Sequence, residues 1–195
     1  MLCLRILHRR TVSLLKDEQG AALLEFAISL PLLVVFVVGI FDFSGASNQK
    51  QKIEQAAQEG AIIAGAQPMS DIASSNGNPT SLQAVSTAVF NSLTGSGVIA
   101  SGACSAPGTA SGPVGLTWTY TISNCNSAYP SDNLVITINR GWVSVSSTPA
   151  VVGTVVTVAY PYHWRFNSVI QLLIPGATYS AITQVTESAR VHNQM

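Results

Sequence analysis

Apolar and polar residues follow three successive patterns along the chain, and the first is a long apolar run. Residues 21–41 are almost entirely apolar, and Glu25 is the one charged residue among them. About 20 such residues cross the hydrocarbon core of a bilayer as a helix. The basic residues that precede the run are Arg5, Arg9, Arg10 and Lys16. The pattern predicts a single transmembrane helix whose N-terminal side faces the cytoplasm.

The second pattern extends this helix beyond the membrane. Between Gly45 and Gln67 few helix breakers occur, and apolar residues recur at steps of three and four, which is typical of an amphipathic helix. An unbroken helix over residues 21–66 would be roughly 70 Å long, so part of it must lie outside the bilayer. Pro68 ends it. Pro31 removes one backbone hydrogen bond from the membrane part of the helix. The sequence leaves open whether the helix bends there or continues straight through the proline.

Small residues recur at every fourth position on the apolar stripe of the second half, at Ala56, Gly60 and Ala64. Small side chains let another backbone approach closely. Two interpretations stay open at this point. The stripe packs on the chain's own sheet, or it forms a helix–helix contact with a neighbouring subunit.

The third pattern follows a polar loop at residues 68–79. Residues 80–93 carry apolar side chains on one helical face, with Thr80 or Ser81 as the capping residue. The segments whose alternating or β-branched residues predict strands are 115–123, 133–147, 150–162 and 179–191, the last of which also fits a helix.

These elements predict an α+β fold. A long N-terminal transmembrane and stalk helix precedes a small antiparallel sheet of about four strands. The predicted domains are a charged cytoplasmic leader (1–20), the transmembrane and stalk helix (21–67) and an extracytoplasmic α+β domain (68–195).

The chain has few charged residues, and this bears on where the outer domain is located and what it contacts. Nine basic and nine acidic residues give a formal net charge of zero, and charged residues make up 9% of the chain. An average soluble domain has roughly a quarter. The balance argues against nucleic acid as a partner. A body whose polarity comes mainly from Ser, Thr, Asn and Gly suggests an extracytoplasmic domain that packs against copies of itself.

The three cysteines divide between the two sides of the apolar run. Cys3 lies on the basic side, whereas Cys104 and Cys125 lie in the outer domain. In an oxidising compartment an intrachain Cys104–Cys125 disulfide is the expectation, worth about 3 kcal/mol by loop closure. Two unpaired thiols and a bond between chains are the alternatives.

Catalytic and cofactor motifs are missing from the sequence, which has no GxSxG, P-loop or GxGxxG pattern. His163 and His192 have no second metal ligand at a suitable spacing. Asp71 and Asp132 lie in turn-like contexts, where capping is their ordinary role. We therefore expect a protein that is not an enzyme and that binds no metal or cofactor. Residues 163–176 are unusually apolar for a connection, and they form either core or a face against membrane or a partner.

Glu25 admits three interpretations. In the first, the run is a signal peptide cut after Ala46. The small residues Ser44 and Ala46 favour such a cleavage site, whereas the charges at both ends of the run argue against it. In the second, it is an ordinary signal anchor. A signal anchor does not explain Glu25, because burying a carboxylate costs about 2.5–3.5 kcal/mol at mid-bilayer and less near the edge. In the third, Glu25 is functional, as the fifth residue after Gly20.

A charged leader, Gly20 and an apolar helix with Glu25 at the fifth following position resemble a type IV prepilin processing site. The stretch GAALLEFAISLPLLVVFVVGIFDF resembles the TadE-like family of tight-adherence (Flp-type) pilus assembly proteins, which are pseudopilins. Residues 49–66, 155–164 and 177–190 also fit that family, whereas residues 68–150 match nothing known to us.

The resemblance implies a function for this chain. A prepilin peptidase would cleave after Gly20 and free the amino group of Ala21, and Glu25 would pair with the new N-terminus of a neighbouring subunit. It also implies a pilin-like bend at Pro31. Ala21 stands where standard pilins have an aromatic residue, a departure that this family tolerates.

The resemblance further implies a single-pass protein of the bacterial inner membrane with its C-terminal domain in the periplasm. Its partners would be membrane lipid, the prepilin peptidase, other pseudopilins and the pilus secretion platform, with a homo-oligomer also compatible. Two rival functions remain. One is a signal-anchored binding module, and the other is an adhesin secreted after cleavage behind Ala46.

Overall fold

The computed structural model describes residues 18–72, 77–144, 150–166, 171, 176 and 182–194. Helix α1 runs from Glu18 to Ala66 over 49 residues and continues through Pro31. Helix α2 spans Thr80–Gly95. The charged leader is described only from residue 18 onward, so the expectation for residues 1–17 lies outside the described part.

The strands form one antiparallel sheet in the order β1-β2-β3-β4-β5. Their bounds are Ser111–Val114 (β1), Thr117–Ile122 (β2), Leu134–Ser144 (β3), Val151–His163 (β4) and Ile182–His192 (β5). The predicted α+β fold with a long apolar helix and a small antiparallel sheet is confirmed, with five strands where about four were expected. The last segment is a strand and not a helix.

Strand β1 was not predicted because its sequence, SGPV, has the composition of a loop. It lies at one edge of the sheet, where a proline is tolerated because its missing N–H can face away from the ladder. Pairing with β2, in which Ser111 lies opposite Thr119, makes this segment a strand.

The described residues form two units. The anchor unit contains residues 18–43 together with 165, 166, 171 and 176. The sheet unit contains residues 44–72, 77–144, 150–164 and 182–194, and therefore the second half of α1, helix α2 and all five strands.

The core of the sheet unit lies between one face of the sheet and the two helices. Trp118, Ile136 and Val156 point inward from β2, β3 and β4 and are almost completely buried. Helix α2 contributes Leu82 and Val85, which are also buried. We call this the inner face of the sheet, and the opposite side the outer face.

The small-residue stripe of α1 lies in this core. Ala56 and Ala64 are fully buried, and Gly60 packs directly against Val89 of α2 and Val156 of β4. A glycine is favoured here because a Cβ would overlap the Val89 side chain and lie only 3.3 Å from that of Val156. The stripe therefore packs within the chain, and burial leaves it unavailable for the helix–helix contact with a neighbour.

Arg140 closes the C-terminal end of α1 from inside the sheet unit. The β3–β4 register shifts between Asn139 and Trp142, so a bulge lies at this point of β3. The Arg140 guanidinium is completely buried and donates hydrogen bonds to the carbonyl oxygens of Ala64, Gln67 (2.9 Å) and Pro68 (3.2 Å). The last carbonyls of a helix lack partners within it, and a cation there also meets the negative end of the helix dipole.

Asp71 stabilises the start of α2. The residue that precedes the helix is Pro79, which has no capping side chain, so the expected cap by Thr80 or Ser81 is wrong. Asp71 replaces it. Its carboxylate accepts hydrogen bonds from the Ser81 N–H (2.9 Å) and from the Ser81 hydroxyl (3.0 Å). Burial raises the pKa of Asp71, but the hydrogen bonds from Ser81 and Thr80 outweigh it and leave the pKa below its ordinary value.

Replacing Asp71 with Ala is expected to lower the free energy of unfolding by about 1 kcal/mol at neutral pH, the usual cost of a lost helix cap. Because the pKa is lower in the folded state, this contribution is complete above the unfolded-state pKa of about 3.9 and is lost as the pH falls through the folded-state value. Thermal unfolding of both proteins should therefore differ at neutral pH and converge in acid. Ser81→Ala keeps the backbone hydrogen bond and should cost less. A difference in unfolding temperature between wild type and Asp71→Ala that does not change with pH would contradict this role.

A disulfide joins Cys104 to Cys125 across 21 residues of sequence. It connects the Gly- and Ser-rich segment after α2 to the segment that follows β2. Cys125 is buried in the core, whereas Cys104 packs against it from a partly buried position. The bond therefore fixes a segment without helix or strand hydrogen bonds to the sheet.

Candidate membrane anchor and processing site

The first part of α1 exposes apolar side chains on all sides over residues 20–33, and on most positions up to residue 41. Large residues there that are 41–71% exposed include Leu23, Leu24, Phe26, Ile28, Leu32, Leu33, Phe36, Val37, Ile40 and Phe41. A helix that is apolar all round is stable in a protein core or in a membrane, and here none of the apolar window is buried. The described residues contain this one helix that is long and apolar enough to cross a membrane. The helix can therefore serve as a membrane anchor.

Gly20, Ala21 and Glu25 lie on exposed positions near the start of this helix. A Cβ added at Gly20 would meet no described atom within 4 Å. The backbone of all three residues is helical.

Ala21 and Glu25 are four residues apart and so lie on the same side of the helix, with their Cβ atoms about 5–6 Å apart. Cleavage of the Gly20–Ala21 bond would create a free amino group next to the Glu25 carboxylate. The pair would present one positive and one negative group about one helical turn apart. Such a pair can be satisfied within one chain or crosswise between two neighbouring helices.

Two further polar side chains of the anchor unit are satisfied by hydrogen bonds. The Ser29 hydroxyl donates to the Phe26 carbonyl (3.2 Å), one turn earlier in the helix. Asp42 is almost completely buried and accepts hydrogen bonds from the backbone N–H groups of Arg165 (3.2 Å) and Phe166 (3.3 Å). Asp42 therefore ties the chain that follows β4 to the anchor helix. The sequence did not indicate this contact, because the partners are backbone groups over 120 residues away.

Within the segment 163–176, whose role was left open, the structure describes residues 163–166, 171 and 176. Arg165 and Gln171 are exposed and Phe166 is partly buried. Most of its apolar residues lie outside the described part, so the choice between core and an interface rests on residues that the structure does not describe.

His163 and Asp132 form an unexpected pair in the sheet unit. The His163 Nε2 atom lies 2.6 Å from Asp132 Oδ2, and the Tyr129 ring stacks on the imidazole with 3.5 Å between the ring centroids. The sequence suggested only a turn role for Asp132, because the pair meets only when β3 and β4 come together. No group of three or more His, Cys, Asp or Glu side chains that could hold a metal occurs among the described residues. With a single carboxylate and a single imidazole, the pair ties the loop before β3 to the end of β4.

Comparison with known proteins places the resemblance at the N-terminal helix. Residues 20–61 match the sequence model of the family described as TadE-like protein. No curated protein and no solved structure gives a significant match to the chain. The matched segment begins at Gly20, includes Ala21, Glu25 and Pro31, and extends into the part of α1 that packs on the sheet. The TadE-like resemblance of this chain is therefore confirmed over residues 20–61.

Proposed function

We propose that this chain is a pseudopilin-like structural or assembly protein of a tight-adherence pilus, anchored in the bacterial inner membrane by the first part of α1. The TadE-like match associates it with such a pilus. The observation that carries the finer proposal is the arrangement of Gly20, Ala21 and Glu25 in the exposed first turns of a long apolar helix. The chain acts through contacts between subunits and is the substrate of a peptidase, not an enzyme.

In the proposed processing step, a prepilin peptidase hydrolyses the Gly20–Ala21 peptide bond. Water supplies the hydroxyl for the new carboxylate of Gly20 and the proton for the new amine of Ala21. The amine is protonated at neutral pH and pairs with the Glu25 carboxylate of a neighbouring helix. A buried charge is costly unless it is paired, so helices that align these two groups are favoured over helices that are out of register.

The sheet unit would stand in the periplasm, where the Cys104–Cys125 disulfide can form. The other partners would be further pseudopilins, the pilus secretion platform and membrane lipid. Cleavage after Ala46, which would release a secreted protein, fits the structure less well than cleavage after Gly20. A Cβ at the adjacent Gly45 would lie 2.6 Å from the Tyr162 hydroxyl, so the backbone there is packed against β4.

Processing is tested by mass spectrometry of the N-terminal peptide of the protein recovered from its native membrane. We expect the wild-type chain to begin at Ala21. Gly20→Val should abolish this product, because a branched side chain blocks the small position before the cleaved bond. Gly39→Val is the matched control. Gly39 also lies on α1 with no atom within 4 Å of an added Cβ, so its replacement should leave processing unchanged.

Glu25→Ala separates cleavage from assembly. It should leave a chain that still begins at Ala21 but is recovered in the membrane and not with the assembled pilus fraction, since the register pair is gone. A wild-type chain beginning at Ser47 would instead show a secreted protein and refute the proposal. An intact leader in the wild type would reduce the protein to a membrane-anchored binding module.

A further inference from the structure

Four ring-bearing side chains lie together at the end of the sheet unit where β4 ends. Tyr162 and Trp164 form one pair, with 5.3 Å between the ring centroids and 88° between the ring planes. Tyr129 stacks on His163 to form the other pair, at 3.5 Å. Tyr129 is 45% exposed, and Trp164 is partly exposed. We call these four side chains the aromatic end of the sheet unit.

Contacts between β4 and α1 place the aromatic end at a definite level of the helix. Gly60 packs against Val156 near the middle of β4. Farther along β4, Gly45 packs against the hydroxyl of Tyr162. Rising residue numbers in β4 therefore meet falling numbers in α1, so the strand runs antiparallel to the helix. Tyr162, and with it the ring of Trp164, lies at the level of Gly45.

Gly45 lies just beyond the apolar run of α1. Residues 21–41 cover about 31 Å at the helical rise, which matches a hydrocarbon core of about 30 Å. The polar layer outside that core is roughly 5–8 Å thick on each side. Gly45 follows Phe41 by four residues of the continuous helix, which is about 6 Å. In a membrane spanned by this run, the aromatic end therefore lies at the level of the lipid headgroups.

The charges around the aromatic end suit a headgroup layer. Asp132 is buried and pairs with His163 at 2.6 Å. Asp42 is also buried, and its carboxylate accepts hydrogen bonds from the N–H groups of Arg165 and Phe166. Both carboxylates are thus withdrawn from the surface, whereas the Arg165 side chain is exposed. An exposed guanidinium can donate hydrogen bonds to lipid phosphate groups.

We propose that the aromatic end of the sheet unit lies in the headgroup layer of the membrane, with Trp164 and Tyr129 in contact with lipid. Tryptophan and tyrosine favour this layer, because the apolar body of the ring meets the acyl chains while its N–H or O–H meets water. The contact holds one end of the sheet unit at a fixed depth and limits its tilting about α1. This inference rests on the proposed membrane anchoring by α1, but not on cleavage at Gly20.

A protein partner fits the aromatic end less well than lipid does. Only about 6 Å of α1 separates the apolar run from the level of Gly45. A helix with its side chains is about 10–12 Å in diameter, so no helix of a partner can enter between the aromatic end and the hydrocarbon core. Headgroups and water fill a layer of this thickness.

The test is the depth of Trp164 in lipid vesicles that contain the full-length chain, measured by fluorescence quenching with brominated lipids. The chain has three tryptophans, so Trp118→Phe combined with Trp142→Phe leaves Trp164 as the emitter. The Trp118 Nε1 atom has no hydrogen-bond partner among the described residues, so its replacement by Phe loses no such bond there. We expect lipid brominated close to the headgroup to quench Trp164 strongly, and lipid brominated at the end of the acyl chain to quench it less.

Trp142 is the matched control, left as the emitter by Trp118→Phe combined with Trp164→Phe. Trp142 lies opposite Gly153 at the start of β4, about 37 Å from Trp164 by strand rise, so neither lipid should quench it. Tyr129→Trp, in a chain whose three tryptophans are replaced by Phe, places the emitter in the other ring pair. It should be quenched in the same order as Trp164.

Near-ultraviolet circular dichroism of each variant checks that the sheet unit is folded. Where a combined variant unfolds, the difference in quenching between wild type and Trp164→Phe gives the same readout. The proposal is overturned if Trp164 is quenched no more than Trp142, or if the deeply brominated lipid quenches it more than the shallow one.

Flotation of the chain with the vesicles tests the anchoring separately. A chain that floats with the vesicles while Trp164 stays unquenched overturns this proposal alone. A chain that does not float overturns the membrane anchoring as well. Cleavage at Gly20 enters neither result, so the processing step and the lipid contact can fail independently.

Discussion

Replacing Arg140 with Met is expected to lower the free energy of unfolding of the sheet unit by about 3–5 kcal/mol. Methionine keeps the apolar stem but removes the guanidinium that accounts for the hydrogen bonds to Ala64, Gln67 and Pro68. The carbonyl oxygens of Gln67 and Pro68 then lose this donor, and that of Ala64 keeps only the hydrogen bond from the Gln67 N–H (3.3 Å). Each lost partner of a buried group costs about 1–3 kcal/mol. Burial lowers the pKa of Arg140, while the nearby charge of Asp71 raises it, so the variant also removes the cation opposite that carboxylate.

The measurement is thermal or denaturant unfolding of the full chain in micelles, followed by near-ultraviolet circular dichroism, which reports tertiary packing and not the membrane helix. Arg190→Met provides the matched control. Arg190 is also on the sheet, but it is exposed and lies over Trp142, so its loss should cost about 1 kcal/mol or less. Arg140→Lys should fall between the two, because a single ammonium cannot reproduce the planar fork of donors. Equal losses for the two methionine variants would show that the buried contact contributes little.

Removing the disulfide is expected to lower the free energy of unfolding by about 3 kcal/mol, the value for closing a loop of about 20 residues in the chain-entropy model. The effect is large here because the segment between α2 and β1 has no helix or strand to hold it. The double variant Cys104→Ser with Cys125→Ser should therefore unfold at a lower temperature than wild type. Burying a serine hydroxyl at the Cys125 position adds a further cost, because Cys125 is almost completely buried.

The unfolding temperature of the wild type should fall in the same way when a reductant is added. That of the double serine variant should not respond to the reductant. Cys3→Ser is the control substitution, since Cys3 lies in the predicted leader and is not part of this bond. Non-reducing mass analysis of a protease digest identifies the bonded peptides directly. A wild type whose unfolding temperature is unchanged by reductant would contradict a stabilising bond.

The Arg140 prediction bears on function through helix α1. Helix α1 begins at the proposed processing site and ends at the Arg140 contact. Arg140 fixes the C-terminal end of the helix from within the sheet unit. Under the proposed function, its loss should therefore reduce the amount of folded protein without changing the proposed cleavage at Gly20.

The sequence by itself determined the long apolar helix and most of the secondary structure. A long apolar run is a strong signal, because a helix satisfies its own backbone hydrogen bonds in lipid and needs no tertiary partner. Glu25 was identified as the one charged residue within that run, and Gly20 as the residue before it that resembles a prepilin processing site. Alternation of apolar and polar residues located β2, β3 and β4, since a half-buried strand imposes its own period.

Only the tertiary structure decided features that depend on residues far apart in the chain. Strand β1 exists because β2 pairs with a segment that looks like a loop. Arg140 was indistinguishable in sequence from a surface arginine, and the Gln67 carbonyl that it binds, directly after α1, is 73 residues away. The stripe of Ala56, Gly60 and Ala64 fitted a neighbouring helix as well as the chain's own sheet, because small residues permit close approach by either. The aromatic end likewise combines rings from the loop before β3 and from the end of β4, which only the fold brings together.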